Sequence, residues 1–370
     1  MAQNGYLQYV LNKAYRSKIA ASGTLELTAR CNLSCKMCYI HKAENDAEAL
    51  ARELPTEFWL DMVQQVRQAG TLTMLITGGE PLLRRDFREI YMACKNAGFL
   101  VSVNTNGTLL RDEDIAFFAK YPPVRLNISL YGASEATYAS LCGIGQMYTR
   151  TAENIRKLRK AGVVVKINYT VTPYNCGDAE AIFAFGREVG APVQHATYLF
   201  PPVRTCDGCC GEASRLSPRE AAEKELICTR EKLGAEAFAR RRAEILRGTA
   251  GVTVADEDGT RDPTERIFCR AGTSSYWITY DGRLLPCGML QEPAVSLIGR
   301  SFAEAWREVQ KATDRILLPA QCTDCALRPH CEICAAVCYG ENGRFDRVPR
   351  YLCEKTQQTL ALYRETEGNA

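Results

Sequence analysis

The sequence predicts an α/β fold with a parallel sheet, followed by a small cysteine-rich region. Two observations carry that reading. From Thr24 to Leu199, six short β-rich apolar runs alternate with amphipathic helical stretches, the pattern of right-handed β-α-β units. Beyond Cys269 the alternation is gone, and cysteines recur at short intervals in loop-rich sequence. Six units fall short of an eight-stranded barrel.

The elements follow in order. Met1 to Ile19 reads as a lead-in helix, with Leu7, Val10, Leu11 and Tyr15 at helical spacing. Thr24 to Thr28 alternates as a strand and runs into a loop holding Cys31, Cys35 and Cys38. Pro55 to Ala69 is helical, with Thr56 as cap. Thr71 to Thr77 is a strand ending in Gly78-Gly79-Glu80-Pro81. Asp86 to Ala97, Asp112 to Lys120, Thr149 to Ala161 and Asp178 to Val189 are the next helices. Phe99 to Asn104, Val124 to Leu130, Val163 to Val171 and Val193 to Leu199 are the next strands. After Pro202 come Cys206, Cys209 and Cys210 in a Gly-containing loop, then a charged helical stretch from Ser217 to about Arg247 that reads as a solvated surface helix. The sequence divides into a lead-in helix (1–20), a barrel unit (21–202), a bridging loop and helix (203–262) and a cysteine-rich domain (263–370), the last held by ligands rather than by a core.

Composition narrows the function classes. A chain of 370 residues with 46% hydrophobic and 24% charged content suits a soluble globular protein of one large and one smaller domain. A net charge of +3 gives no argument for nucleic acid or a membrane surface. No apolar run approaches the roughly 18–20 residues of a membrane span, and Met1 to Arg16 lacks an apolar signal core. The expected location is cytoplasmic. Eighteen cysteines in a long chain without a signal peptide point to metal or cluster binding rather than a disulfide framework. Three histidines, His41, His195 and His330, are too few for His-rich metal sites.

In parallel β/α architectures the loops at the C-terminal strand ends carry the chemistry. Here those loops hold the Cys triplet, Gly-Gly-Glu-Pro, Asn104-Thr105-Asn106-Gly107 and Ser129-Leu130-Tyr131-Gly132. Three thiolates in eight residues hold an iron–sulfur cluster or zinc. On a four-iron cluster they leave one iron open to a chelating ligand. The alternatives are a zinc site completed by His41, or buried thiols that pack as small apolar groups. Two glycines let backbone approach a ligand, and Glu80 offers an acceptor for an ammonium group. A plain strand-end turn is the other reading of that tetrapeptide.

Cys-x3-Cys-x2-Cys after the first strand and Gly-Gly-Glu-Pro after the second resemble the radical S-adenosylmethionine (SAM) superfamily, over about Gly23 to Phe200. The resemblance implies a partial (β/α)6 TIM-type barrel. It implies an enzyme in which a reduced [4Fe–4S] cluster on Cys31, Cys35 and Cys38 cleaves SAM to a 5′-deoxyadenosyl radical that abstracts a substrate hydrogen. By the same similarity Gly78, Gly79 and Glu80 hold the methionine amino group. Ser129 takes the ribose-contacting position with Asn104 or Asn106 nearby, and Asn168 or Thr170 and Tyr198 are further ribose and adenine candidates. The family commonly has an aromatic residue before the third Cys; here Met37 stands there, with Tyr39 just after Cys38.

The C-terminal cysteines resemble the SPASM extension of that superfamily, an α+β domain with two auxiliary [4Fe–4S] clusters, which brings the implied total to three. By analogy Cys322, Cys325, Cys331 and Cys353 bind one cluster. Cys269 and Cys287, the latter in Gly282-x4-Cys287, bind the other with Cys334, Cys338 or both. The usual x3 spacing after Cys331 falls on Ala335, which leaves the completing residue open. Zinc sites of ribbon type are the alternative. Cys209 and Cys210 are candidate hydrogen-atom donors, while Cys94, Cys142, Cys176 and Cys228 read as packing residues. The expected substrate is a peptide or protein, modified by crosslinking, thioether formation, epimerisation or oxidation. A reductant such as flavodoxin or ferredoxin and a separate leader-binding protein are the expected partners, with no nucleic acid and no membrane. A small-molecule or cofactor precursor is the alternative substrate, and a non-enzymatic zinc scaffold the second alternative.

Overall fold

The computed structural model describes residues 2–201, 214–248, 250, 267 and 269–365. Six strands, β1 (Ser22–Glu26), β2 (Thr73–Thr77), β3 (Leu100–Thr105), β4 (Arg125–Ser129), β5 (Val165–Thr170) and β6 (Val193–Ala196), pair in parallel in chain order. The lead-in helix α1 (Ala2–Arg16) precedes them. Crossovers are made by α2 (Ala47–Arg52) and α3 (Thr56–Gln68), then α4 (Phe87–Asn96), α5 (Asp112–Lys120), α6 (Glu135–Cys142), α7 (Met147–Lys160) and α8 (Ala179–Val189). This is the expected partial (β/α)6 barrel.

Each strand presents two faces, as its period of two requires. Leu25, Met74, Ile76, Val101, Val103, Leu126, Ile128, Val165 and Ile167 point outward into the main core. Trp59, Met62, Val63 and Val66 of α3 and Phe87, Ile90, Tyr91 and Cys94 of α4 cover them. The alternate positions, such as Thr24, Ser102, Asn104, Asn127 and Asn168, are polar and face the barrel interior. The core therefore lies between sheet and helices, and the lumen is left to polar side chains.

Several elements depart from the sequence reading, α2 among them. Helix α6 was not expected; Ser134 caps it by accepting from Thr137 N at 3.1 Å, and Gly143 ends it at φ +78°. The charged stretch is two helices, α9 (Pro218–Leu233) and α10 (Ala235–Leu246), broken where Gly234 takes φ +79°. It is not solvated on all sides, because Ala221, Ala222, Cys228 and Thr229 of α9 are buried.

The C-terminal region is more ordered than its cysteine density suggests. Strand β7 (Ser275–Ile278) joins the barrel sheet in parallel on the free side of β1, with Ser22 opposite Ser275. Strands β8 (Arg283–Leu285) and β9 (Val295–Ser296) extend it antiparallel. Helix α11 (Phe302–Thr313) buries Phe302, Ala305, Trp306 and Val309 in the main core. Helices α12 (Ala335–Asn342) and α13 (Arg350–Glu365) follow. The expectation of a region held by ligands alone is corrected: Leu290, Ile316, Leu318, Ile333, Val337 and Leu352 form a second apolar core. Among the described residues no helix is long and apolar enough to cross a membrane.

Candidate active site and thiol sets

The loop after β1 is shaped by backbone bonds to its neighbours. Arg30–Cys31 pairs in parallel with Lys42–Ala43 at its base. Ser34 N and Lys36 N donate to the carbonyls of Cys142 (3.0 Å) and Leu141 (2.9 Å) at the end of α6. Cys35 is buried, and a hydrogen bond with the Cys142 thiol together with that burial holds its own thiol well above the ordinary range. Burial, with the nearby Glu80 carboxylate, likewise raises Cys31. Cys31 Sγ accepts from Leu33 N at 3.4 Å and from Asn106 Nδ2 at 3.6 Å.

The loop after β2 lies directly against this one. Gly79 N donates to the Thr28 carbonyl at 2.7 Å and Glu80 N to that of Arg30 at 2.9 Å. A Cβ on Gly78 would stand 2.6 Å from the Thr28 carbonyl oxygen, and one on Gly79 2.6 Å from that of Ala29. The two glycines are thus required by the close pass of two backbones, a reason that exists before any ligand arrives. Arg84 locks the same corner from below: it pairs with Asp86 at 2.6 Å and Glu53 at 3.6 Å, and donates to the Leu27 carbonyl at 3.2 Å.

Glu80 is fully buried and does not line the cavity described next. Its carboxylate accepts from Asn106 N at 2.7 Å, Thr105 Oγ1 at 2.8 Å and Leu82 N at 3.1 Å. Burial pushes it up to about 7 in spite of those donors. It ties the second loop to the third. There Asn106 Oδ1 accepts from Thr108 N (2.9 Å) and Thr108 Oγ1 (2.7 Å), which orients its amide nitrogen toward Asn32 and Cys31. Asn154 of α7 holds the turn from behind, donating to the Gly107 carbonyl at 2.8 Å.

All four strand-end loops open onto one cavity of 380 Å³. Its walls include Cys31, Cys35 and Cys38, then Gly78 and Gly79, then Asn104, Asn106, Ser129, Asn168, Thr170 and Tyr198. The expected cofactor contacts therefore converge, apart from Glu80. His41 is not on its wall: it is half-buried, and burial lowers its pKa while the Leu33 backbone works against that. Tyr131 of the fourth strand-end loop also lines the cavity, as does Met289, which was not foreseen. Met289 comes from the far C-terminal region, which no local pattern connects to the barrel.

Residues 25–185 match the Radical SAM superfamily. The matched segment, which runs from β1 into α8, is a Radical SAM domain. Curated relatives of this chain include the AdoMet-dependent heme synthase of Methanosarcina barkeri, 28% identical over 333 residues (86% of this chain, 92% of the relative). Another is the sporulation killing factor maturation protein SkfB of Bacillus subtilis, 25% identical over 288 residues (78% of this chain, 65% of the relative). Among solved structures, Streptococcus suis SuiB bound to its precursor peptide SuiA shares the fold with a TM-score of 0.66 at 17% identity, over 94% of this chain and 80% of that one.

Membership brings a [4Fe–4S] cluster and SAM as cofactors, and the residues present fit them. Three soft donors share one wall of the cavity. The side-chain-free Gly78 and Gly79 lie on the wall of the same cavity, where backbone can come close to a ligand. Among the described residues no three His, Cys, Asp or Glu side chains close around a single ion.

The cavity continues into a larger lumen of 890 Å³ running along the barrel interior. Asn104, Tyr131, Asn168, Thr170 and Ala196 line both. Cys269 and Cys287 stand on the lumen wall.

The C-terminal thiols form two sets. Cys322, Cys325, Cys331 and Cys353 surround one small cavity with Leu327, Ile333 and Val348. Burial pushes Cys322 up to about 11, and the three others add to it. Cys334, at the start of α12, is pushed up to about 12 by burial, with Cys269 and Cys287 close enough to contribute. Cys338 is buried on α12 between the two sets, near Cys334, Cys322 and Cys331. Cys94, Cys142 and Cys228 are buried, as packing residues should be. Cys206, Cys209 and Cys210 lie outside the described residues.

Proposed function

We propose that this radical SAM enzyme acts on a peptide or protein, with Cys31, Cys35 and Cys38 holding the SAM-binding cluster. When bound, the reduced cluster and SAM supply a 5′-deoxyadenosyl radical that abstracts a substrate hydrogen. The chain's own residues bind and orient. Gly78 and Gly79 would hold the methionine end of SAM, and Asn104, Ser129, Asn168 and Tyr198 its nucleoside end. Glu80 and Asn106 fix the loops that carry them. Cys322, Cys325, Cys331 and Cys353 hold one auxiliary cluster. Cys269, Cys287 and Cys334 hold the other, with Cys338 beside them. A flavodoxin- or ferredoxin-type reductant, a separate leader-binding protein and a cytoplasmic location complete the reading.

The observation that supports a peptide is the open lumen of 890 Å³ continuous with the cofactor cavity. Beside it, β6 ends the described sheet and leaves an edge to which an extended chain can add. The relative SkfB is named as a sporulation killing factor maturation protein. A second reading, a tetrapyrrole or other cofactor precursor, is favoured by the heme synthase relative that aligns over 86% of this chain.

The test is anaerobic reconstitution followed by dithionite, with 5′-deoxyadenosine measured by chromatography. Candidate peptides and a propionate-bearing porphyrin are then followed by mass spectrometry. Loss of two hydrogens, deuterium uptake from solvent without other mass change, or loss of water would identify crosslinking or oxidation, epimerisation and dehydration. Zinc in place of iron and sulfide, with no 5′-deoxyadenosine, would sink the radical reading. A product from the porphyrin alone would replace the peptide.

A further inference from the structure

A buried ion network stands outside the wall of the cofactor cavity, and the chemistry above makes no use of it. Its node is Glu53, the residue that ends α2, with a side chain only 7% exposed. Both carboxylate oxygens are taken. Oε1 accepts from Thr28 Oγ1 and from Arg30 Nε at 2.7 Å. Oε2 accepts from Arg30 Nη2 at 3.1 Å and faces Arg84 Nη1 at 3.6 Å. Thr28 and Arg30 lead into the loop of Cys31, Cys35 and Cys38. Arg84 ends the short turn Pro81–Leu83 that follows Gly78, Gly79 and Glu80. One carboxylate therefore grips the cysteine loop and the glycine loop together.

The two loops meet without slack. Thr28 and Arg30 accept from Gly79 N and Glu80 N through their carbonyls, and bond Glu53 through their side chains. The other polar groups of the network are committed as well. Arg30 Nη1 donates to the Glu44 carbonyl at 2.8 Å, and Arg84 Nε and Nη2 donate to Asp86 at 2.9 and 2.6 Å. Glu53 is itself fixed from the C-terminal region. Its neighbour Arg52 pairs with Asp281 at 2.5 Å, and Leu54 N donates to the Tyr280 carbonyl at 3.1 Å, both in the turn between β7 and β8. Arg30 and Arg84 are as buried as their shared partner. Removing the charge of Glu53 leaves two guanidiniums, one on each loop, facing each other out of water, where like charges repel strongly.

We propose that Glu53 is a positioning residue for SAM: it sets the distance between the cysteine loop and the glycine loop, and with it the fit of the methionine end between them. The carboxylate acts through Arg30, Thr28 and Arg84 and is not on the cavity wall. The proposal rests on SAM binding between those two loops.

Glu53→Gln keeps the shape of the side chain and removes its charge. In the protein before reconstitution, hydrogen exchange read by mass spectrometry should quicken in the peptide that carries the Gly79 and Glu80 amides. After reconstitution the iron content should match the wild type. SAM affinity, titrated through the change SAM causes in the electron paramagnetic resonance spectrum of the reduced cluster, should fall roughly tenfold or more, as a small misplacement of binding groups predicts. Glu225→Gln is the control. It disturbs another ion network, with Lys355 of α13, and should leave SAM affinity within about twofold of the wild type. If Glu53→Gln does not accumulate or does not hold its cluster, Arg30→Lys decides by the same readouts; it keeps the charge but loses the fork, and about threefold weaker binding is expected. Unchanged exchange at Gly79 and Glu80, SAM affinity equal to the wild type at equal iron content, or an equal loss in Glu225→Gln overturns the role. A wild-type spectrum that does not respond to SAM counts against the SAM site itself. A response that Glu53→Gln preserves at the same SAM concentration counts against Glu53 alone.

Discussion

Cys31, Cys35 and Cys38 are carried by a loop whose backbone is bonded to the end of α6 and to the glycine loop beside it, and they pack against the main core. Cys322, Cys325 and Cys331 lie on or beside short 3-10 turns, and Cys353 lies on α13, around a much smaller core. The first set is preorganised by the fold and needs its ligand for chemistry. The second sits in short turns packed on that smaller core, so a metal or cluster bound there would add a larger share of the folding free energy of those turns.

That contrast is broken most directly by removing thiols. Cys31, Cys35 and Cys38 changed together to Ala should abolish SAM cleavage, leave auxiliary iron in place and barely alter limited proteolysis. Cys322→Ala/Cys325→Ala should retain SAM cleavage but open the segment 315–350 to protease. Indistinguishable proteolysis patterns would erase the distinction between the two sets.

The joint between the regions comes next. Glu225 of α9 is bonded to His195 of β6 at 3.0 Å and to Thr197, and faces Lys355 of α13 at 3.5 Å. Burial opposes its charge, but His195, Lys355 and Thr197 outweigh that and hold it well below the ordinary 4.5. Glu225→Ala should cost about 3–5 kcal/mol by urea unfolding, because it strands a buried ammonium. A carboxylate with a depressed pKa contributes stability that is present above 4.5 and lost as pH falls below it. Glu225→Gln should therefore flatten the acid side of the stability profile. An unchanged acid limb would show that other carboxylates set it.

Smaller effects sharpen the comparison. Gly79→Ala should lower stability by about 1–3 kcal/mol, since its Cβ meets backbone that cannot swing away. Tyr351→Phe removes the bond from its hydroxyl to the Leu216 carbonyl (2.8 Å) and should cost about 1 kcal/mol without touching SAM cleavage. A melting-temperature ranking that reverses these two would mean the glycine corner is more compliant than its contacts indicate.

The barrel was legible because each strand changes the apolar period from that of the helix before it, and Asp112–Lys120 agrees residue for residue. The strand-end residues were legible because topology alone gathers them. Helix α6 was not, because Tyr138, Leu141 and Cys142 give it no clear stripe. Helix α11 had a strong stripe in Phe302, Ala305, Trp306 and Val309, but the surrounding cysteines made the region read as loop. The second role of Gly78 and Gly79, and the burial of Glu80, depend on a three-dimensional approach that no spacing records.

The parallel pairing of β7 with β1 has a consequence for the order in which the protein is made. Ser22 cannot meet Ser275 until the ribosome has passed the whole barrel. At roughly 5–20 residues per second that delay is on the order of tens of seconds. Through it the nascent barrel carries an unpaired edge on its first strand. A chain stopped before β7 should therefore associate through β1, and light scattering of such truncations would register a hazard that the finished protein has sealed with its own C-terminal quarter.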